Sequence, residues 1–127
     1  MRLLVFGNPY LAEDSFANHV ASHLDSWNPV FCTSPDDILQ YEDEEFVVLD
    51  VVKSIDKVVI IYDINTLKTR NIMSLHDFDL GFFLRLCESM GVGQKITIIG
   101  IPQKGDLNDI VRQVRLVLVK LSRKIMA

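Results

Sequence analysis

Short apolar runs alternate along this chain with stretches of helical period, the pattern of strands interleaved with helices. Residues 2–7 form an apolar run closed by Gly7, which reads as a strand buried on both faces, as parallel strands are. After the Gly7-Asn8-Pro9-Tyr10 loop, Asp14-Ser15 opens a helix in which Phe16, Val20 and Leu24 share one side, ending near Trp27-Asn28-Pro29. Residues 29–32 make a short strand, and Ser34-Pro35-Asp36-Asp37 begins a brief helix that runs to about Tyr41. Glu42-Asp43-Glu44-Glu45 reads as a solvated turn.

Two Val/Ile-rich strands follow, over residues 46–52 and 57–62. The connection between them is too short for a parallel crossover, so they are expected to be antiparallel neighbours or separated by a jog, with one mixed sheet edge. Residues 65–74 read as loop, and 79–90 as a helix with Asp79 near its start and Gly91 beyond its end. Residues 95–101 form the last strand. Residues 108–125 form a final amphipathic helix with Val114, Val117, Leu121 and Ile125 in one stripe. The whole predicts an α/β fold: a three-layer sandwich with a twisted, mostly parallel five-stranded sheet flanked by helices. Ligands of such folds sit outside the carboxyl ends of the strands.

A length of 127 residues fits a single domain spanning 1–127, and 49% hydrophobic with 24% charged residues is a globular composition. The formal net charge of -4 disfavours nucleic acid as a partner. No apolar stretch reaches the roughly 20 residues that cross a bilayer. The first apolar run stops too early for an export signal. The expectation is therefore a cytoplasmic protein with no membrane partner, in which Cys32 and Cys87 are free thiols. The basic residues of the last helix (Arg112, Arg115, Lys120, Arg123 and Lys124) read as a solvated face.

Asp50 is the most anomalous acid, because a charge inside the Val47-Val48-Leu49-Asp50-Val51 run is costly unless it is paired or metal-bound. The plainer alternative is a structural residue that bonds a loop or a helix N-terminus. Glu13-Asp14 follows the first strand, where Asp14 also suits an N-cap. His76 lies in Ser74-Leu75-His76-Asp77-Phe78-Asp79, a loop feeding a helix. Two carboxylates and an imidazole make a ligand set with open positions, able to take a metal that brings ligands of its own. His19 and His23 stand at helical spacing but lack the Glu of an H-E-x-x-H helix. No G-x-S-x-G elbow, P-loop or G-x-G-x-x-G is present.

At these positions the sequence resembles the [NiFe]-hydrogenase maturation endopeptidases. Gly7-Asn8, then Leu11-Ala12-Glu13-Asp14-Ser15-Phe16, is similar to the family's G-N-x-L-x-x-D-[DE]-G-[FI]-G opening. Val48-Leu49-Asp50-Val51 resembles its V-x-D-A block, His76 and Leu80 its H-x-x-x-L, and Ile99-Gly100-Ile101-Pro102 its G-[IV]-x-P strand end. Ser15 and Ala17 stand where the family has glycines, and Cys32-Thr33-Ser34-Pro35-Asp36 replaces its T-x-G segment.

The resemblance implies an endopeptidase that removes the C-terminal extension of a hydrogenase large-subunit precursor after nickel insertion. Asp14, Asp50 and His76 would contact the nickel carried by the substrate, with no permanent metal. The catalytic nucleophile is not evident. The alternatives are a receiver-like signalling domain, with Asp50 as phosphoacceptor and Lys104 after the last strand, and a non-catalytic binding protein on the same fold.

Overall fold

The computed structural model describes residues 1–6, 15–32, 35–41, 43–52, 55–62 and 97–126. Among them, five strands form one sheet: β1 (Arg2–Phe6), β2 (Val30–Cys32), β3 (Phe46–Val51), β4 (Val59–Ile61) and β5 (Ile98–Ile101), in the order β2-β1-β3-β5-β4. The β1/β2, β1/β3 and β3/β5 pairs are parallel, and β4 runs antiparallel to β5 at the edge. Two α-helices, α1 (Phe16–Ala21) and α2 (Leu107–Met126), and 3-10 segments at Asp25–Trp27 and Pro35–Tyr41 complete the described elements. The loop expected over 65–74, the helix over 79–90 and the residues Asp14, His76 and Cys87 lie outside the described residues.

Hydrophobic alternation splits the core into two layers around the sheet. Leu3, Val5, Val47, Leu49, Val51, Ile99 and Ile101 face α1 and α2. Leu4, Phe6, Val48, Val52, Ile61 and Ile98 face the opposite way, where Ile38 of the 3-10 segment packs on them. The architecture is thus a three-layer α/β sandwich with a mostly parallel five-stranded sheet. No helix among the described residues is long and apolar enough to cross a membrane.

β3 and β4 do not touch as antiparallel neighbours, because β5 lies between them. The expected mixed edge is present, formed by β4. Burial follows from the order: all four residues of β5 are buried, whereas Val59 and Ile60 of the edge strand β4 are only partly so. Both strands are apolar, Val59-Ile60-Ile61 in β4 and Ile98-Ile99-Gly100-Ile101 in β5, and the one in the interior position is covered on both faces.

α1 is shorter than its periodicity predicts and stops at Ala21. Ser22 Oγ donates to the His19 carbonyl at 2.6 Å, and the His23 and Leu24 amides bond three residues back, to Val20 and Ala21. Such local bonds compete with the α-helical ladder and tighten the chain toward 3-10 geometry. The buried residues of α2 are Ile110, Val111, Val114, Leu118 and Leu121, with Val117 only partly buried. Of the predicted stripe Val114 and Leu121 are buried and Val117 partly so, and the expectation for Ile125 falls outside the described side chains.

Polar contacts fix α2 against the sheet. Gln113 Oε1 accepts from the Val58 amide at 3.2 Å, just before β4, while Gln113 Nε2 donates to Asp109 Oδ2 at 2.9 Å. Asp109 also pairs with Arg112. The Arg112 hydrogen bond, then that of Gln113, holds the Asp109 carboxyl below its usual range. Arg115 Nη2 donates to the His23 carbonyl at 2.9 Å and ties α2 to the chain leaving α1.

Candidate functional site

β3 is the middle strand of the sheet, with β1 on one side and β5 on the other. Its residues Val47 to Val51 are all buried, so its sequence is a continuous apolar run interrupted by one acid. That acid, Asp50, is 0% exposed and is the one buried charged residue among the described residues. Its Oδ1 accepts the Val51 amide at 2.9 Å. A hydrogen bond from a backbone amide offsets part of the cost of removing a carboxylate from water, a cost of several kcal/mol per ion in protein interiors.

The side chain of Asp50 lies on the sheet face away from α1 and α2, since Val48 and Val52 at the alternate positions belong to that layer. Its register partner on β5 is Gly100. One step beyond the Val5/Leu49 pairing, Phe6 of β1 comes level with Asp50, and Phe6 pairs in turn with Cys32 of β2. A row of Cys32, Phe6, Asp50 and Gly100 therefore crosses four strands near their carboxyl ends. β1 ends at Phe6, within this row.

Cys32 is a buried free thiol whose Sγ lies 3.8 Å from the Val30 carbonyl. Burial, and secondarily the Asp37 carboxylate, push it up to about 11. A thiol that holds its proton to that degree is a poor nucleophile at neutral pH.

Of the three residues expected to contact metal, Asp50 is described and stands at the carboxyl end of a central strand. Among the described residues no group of three His, Cys, Asp or Glu side chains stands ready to hold a metal ion. Ser15, rather than Asp14, takes the N-cap position of α1, with no side-chain cap bond. His19 and His23 are exposed, and α1 ends before His23, so the pair does not share a regular helix. Gly100 enters the sequence reading only as part of a motif. Its place directly opposite Asp50 is a fact of register, signalled in the sequence by a single glycine within Ile98-Ile99-Gly100-Ile101.

No protein-family model matches the chain, and no curated protein does. A crystal structure of an uncharacterized protein from Wolinella succinogenes is similar in fold, with a TM-score of 0.60, 15% sequence identity, and coverage of 99% of this chain and 98% of that one.

Proposed function

We propose that this chain is an endopeptidase that removes the C-terminal extension of a [NiFe]-hydrogenase large-subunit precursor once nickel has been inserted. The observation that carries the reading is Asp50, a fully buried carboxylate near the carboxyl end of the middle strand. Ligands of open α/β sheets bind beyond that end. Asp14, Asp50 and His76 are the proposed contacts to the nickel of the substrate. Affinity contributed through the metal exists only when the precursor is loaded, so empty precursor is rejected by lost binding energy. In the reaction water adds to the scissile carbonyl, polarised by the metal, the carbon–nitrogen bond breaks, and the departing amine takes up the proton. The reaction is assigned to the cytoplasm, where thiols such as Cys32 stay reduced.

The sheet order favours this reading over a phosphoacceptor domain. Receiver-type doubly wound domains have the parallel order 2-1-3-4-5. Here β5 is inserted beside β3, and β4 is antiparallel.

The test is conversion of nickel-loaded precursor to its shortened form, followed by gel shift. The wild-type chain is expected to shorten loaded precursor and to leave nickel-free precursor intact. His76→Ala is expected to abolish cleavage with unchanged circular dichroism. Cleavage of nickel-free precursor at the same rate, or none of either form, overturns the reading.

A further inference from the structure

The side of α2 turned away from the sheet is exposed at Arg112, Arg115, Leu116, Val119, Lys120 and Arg123. At 3.6 residues per turn these six positions share an arc of about 140°, opposite the buried Ile110, Val114 and Leu121. Leu116 and Val119 lie at the middle of the arc, 63% and 39% exposed. Arg112 stands one turn before them and Arg123 one turn after, with Arg115 and Lys120 on the two flanks. The preference of helix C-termini for basic residues accounts for Lys120 and Arg123, but not for an aliphatic pair ringed by cations.

The charge of this face is not matched within the chain. Asp109 neutralises Arg112. Arg115 donates to the His23 carbonyl, which leaves its positive charge in place. Among the described residues no carboxylate pairs with Arg115, Lys120 or Arg123, and Asp25, two residues beyond His23, makes no such pair. The contrast with the rest of the molecule is large. α2 holds five basic residues and one acid, whereas the other 107 residues hold eight basic residues and sixteen acids.

That segregation selects the occupant. Charges are screened over about 8 Å at physiological salt, so a partner that covers only this face meets cations. An extended polyanion, such as a nucleic acid or an anionic bilayer, meets the acidic body as well. Clusters that hold anionic membranes carry about 4–8 Lys or Arg, against three unmatched cations among the described side chains here. The main apolar stripe of α2 is also buried in the core, so the helix cannot lay that stripe into lipid. A second helix matches the face in size, since Arg112 to Arg123 spans roughly 16 Å at about 1.5 Å per residue. Its carboxylates would meet the guanidinium groups, and its apolar residues would cover Leu116 and Val119.

We propose that the outer face of α2 docks an acidic amphipathic helix of a partner protein. The face lies on the other side of the sheet from the Asp50 side chain, so the proposal stands or falls without the peptidase reading.

The probe is a fluorescein-labelled amphipathic peptide of about 18 residues built from Ala, Leu and Glu, long enough to hold a helix. Its controls are the same peptide with Gln for every Glu, and vesicles of phosphatidylserine and phosphatidylcholine. Anisotropy gives the affinity for the full chain, and amide shifts of Leu116, Val119 and Lys120 locate the contact. Saturable binding with Kd of about 100 μM or tighter is expected, at least about 10-fold weaker for the Gln peptide. Lys120→Glu combined with Arg123→Glu should weaken it by about 10-fold or more, and Leu116→Ser by about 5-fold, with unchanged circular dichroism. No saturation by 1 mM peptide overturns the proposal, as does equal binding of the Gln peptide or undiminished binding by the Lys120→Glu, Arg123→Glu chain. Binding to the vesicles in preference to the peptide assigns the face to a membrane and overturns it too.

Discussion

Asp50 and Gly100 stand opposite each other on neighbouring parallel strands, and a Cβ placed on Gly100 would fall 2.6 Å from Val52 Cγ2 and 3.0 Å from Val59 Cγ2. The absence of a side chain at Gly100 is what lets those two valines close over the strand beside the buried carboxylate. Gly100→Ala is therefore expected to destabilise the fold by about 1–3 kcal/mol, the usual cost of overpacking a filled core. Urea unfolding measures it, and a neutral or stabilising result would mean that Val52 and Val59 repack without strain.

Asp50→Asn separates the chemical from the structural role of this residue. The amide oxygen keeps the shape needed to accept the Val51 amide, so stability should change by no more than about 1 kcal/mol. Processing of nickel-loaded precursor should be lost, because a neutral amide is a poor nickel ligand. A variant that keeps full activity assigns Asp50 to structure alone.

Cys32 makes stability depend on pH in the alkaline range. Its folded-state value is raised from 9.0 to about 11, so the unfolded chain loses this proton first. The contribution is fully present below about pH 9 and is lost as pH rises toward about 11. Denaturation midpoints should fall across that window, and Cys32→Val should flatten the fall. At pH 8, alkylation of Cys32 in the folded chain, read by peptide mass, should be much slower than in the unfolded chain, because burial keeps the thiol protonated.

Two leucines of α2 differ in what they contribute. Leu118 is 0% exposed in the layer between helix and sheet, whereas Leu116 is 63% exposed. Leu118→Ala should cost about 2–5 kcal/mol, from lost burial and the cavity left behind. Leu116→Ala should stay within about 0.5 kcal/mol. Equal effects in thermal unfolding would contradict the orientation of α2.

Much of the fold is legible in the sequence because apolar runs and periods are local signals. The strands near residues 2–7, 29–32 and 46–52, the brief helix ending at Tyr41 and the long final helix all follow from residues close in the chain. The placement of β5 is not local. It depends on which of two apolar strands pairs with β3, and Val59-Ile60-Ile61 and Ile98-Ile99-Gly100-Ile101 carry no local signal that separates them. The early end of α1 is a middle case, since Ser22 bonding back to His19 is a local event that the apolar period hides.

At the candidate site the sequence by itself marks Asp50, because an acid within a valine-rich strand conflicts with its surroundings whatever the topology. Only the tertiary structure decides which residues border it. Gly100 becomes its neighbour through a register set about fifty residues away, and Phe6 and Cys32 join the same row through β1 and β2. Periodicity fixes which face a residue takes within its own element, whereas pairing between strands fixes which residues meet, and pairing depends on burial summed over the whole sheet.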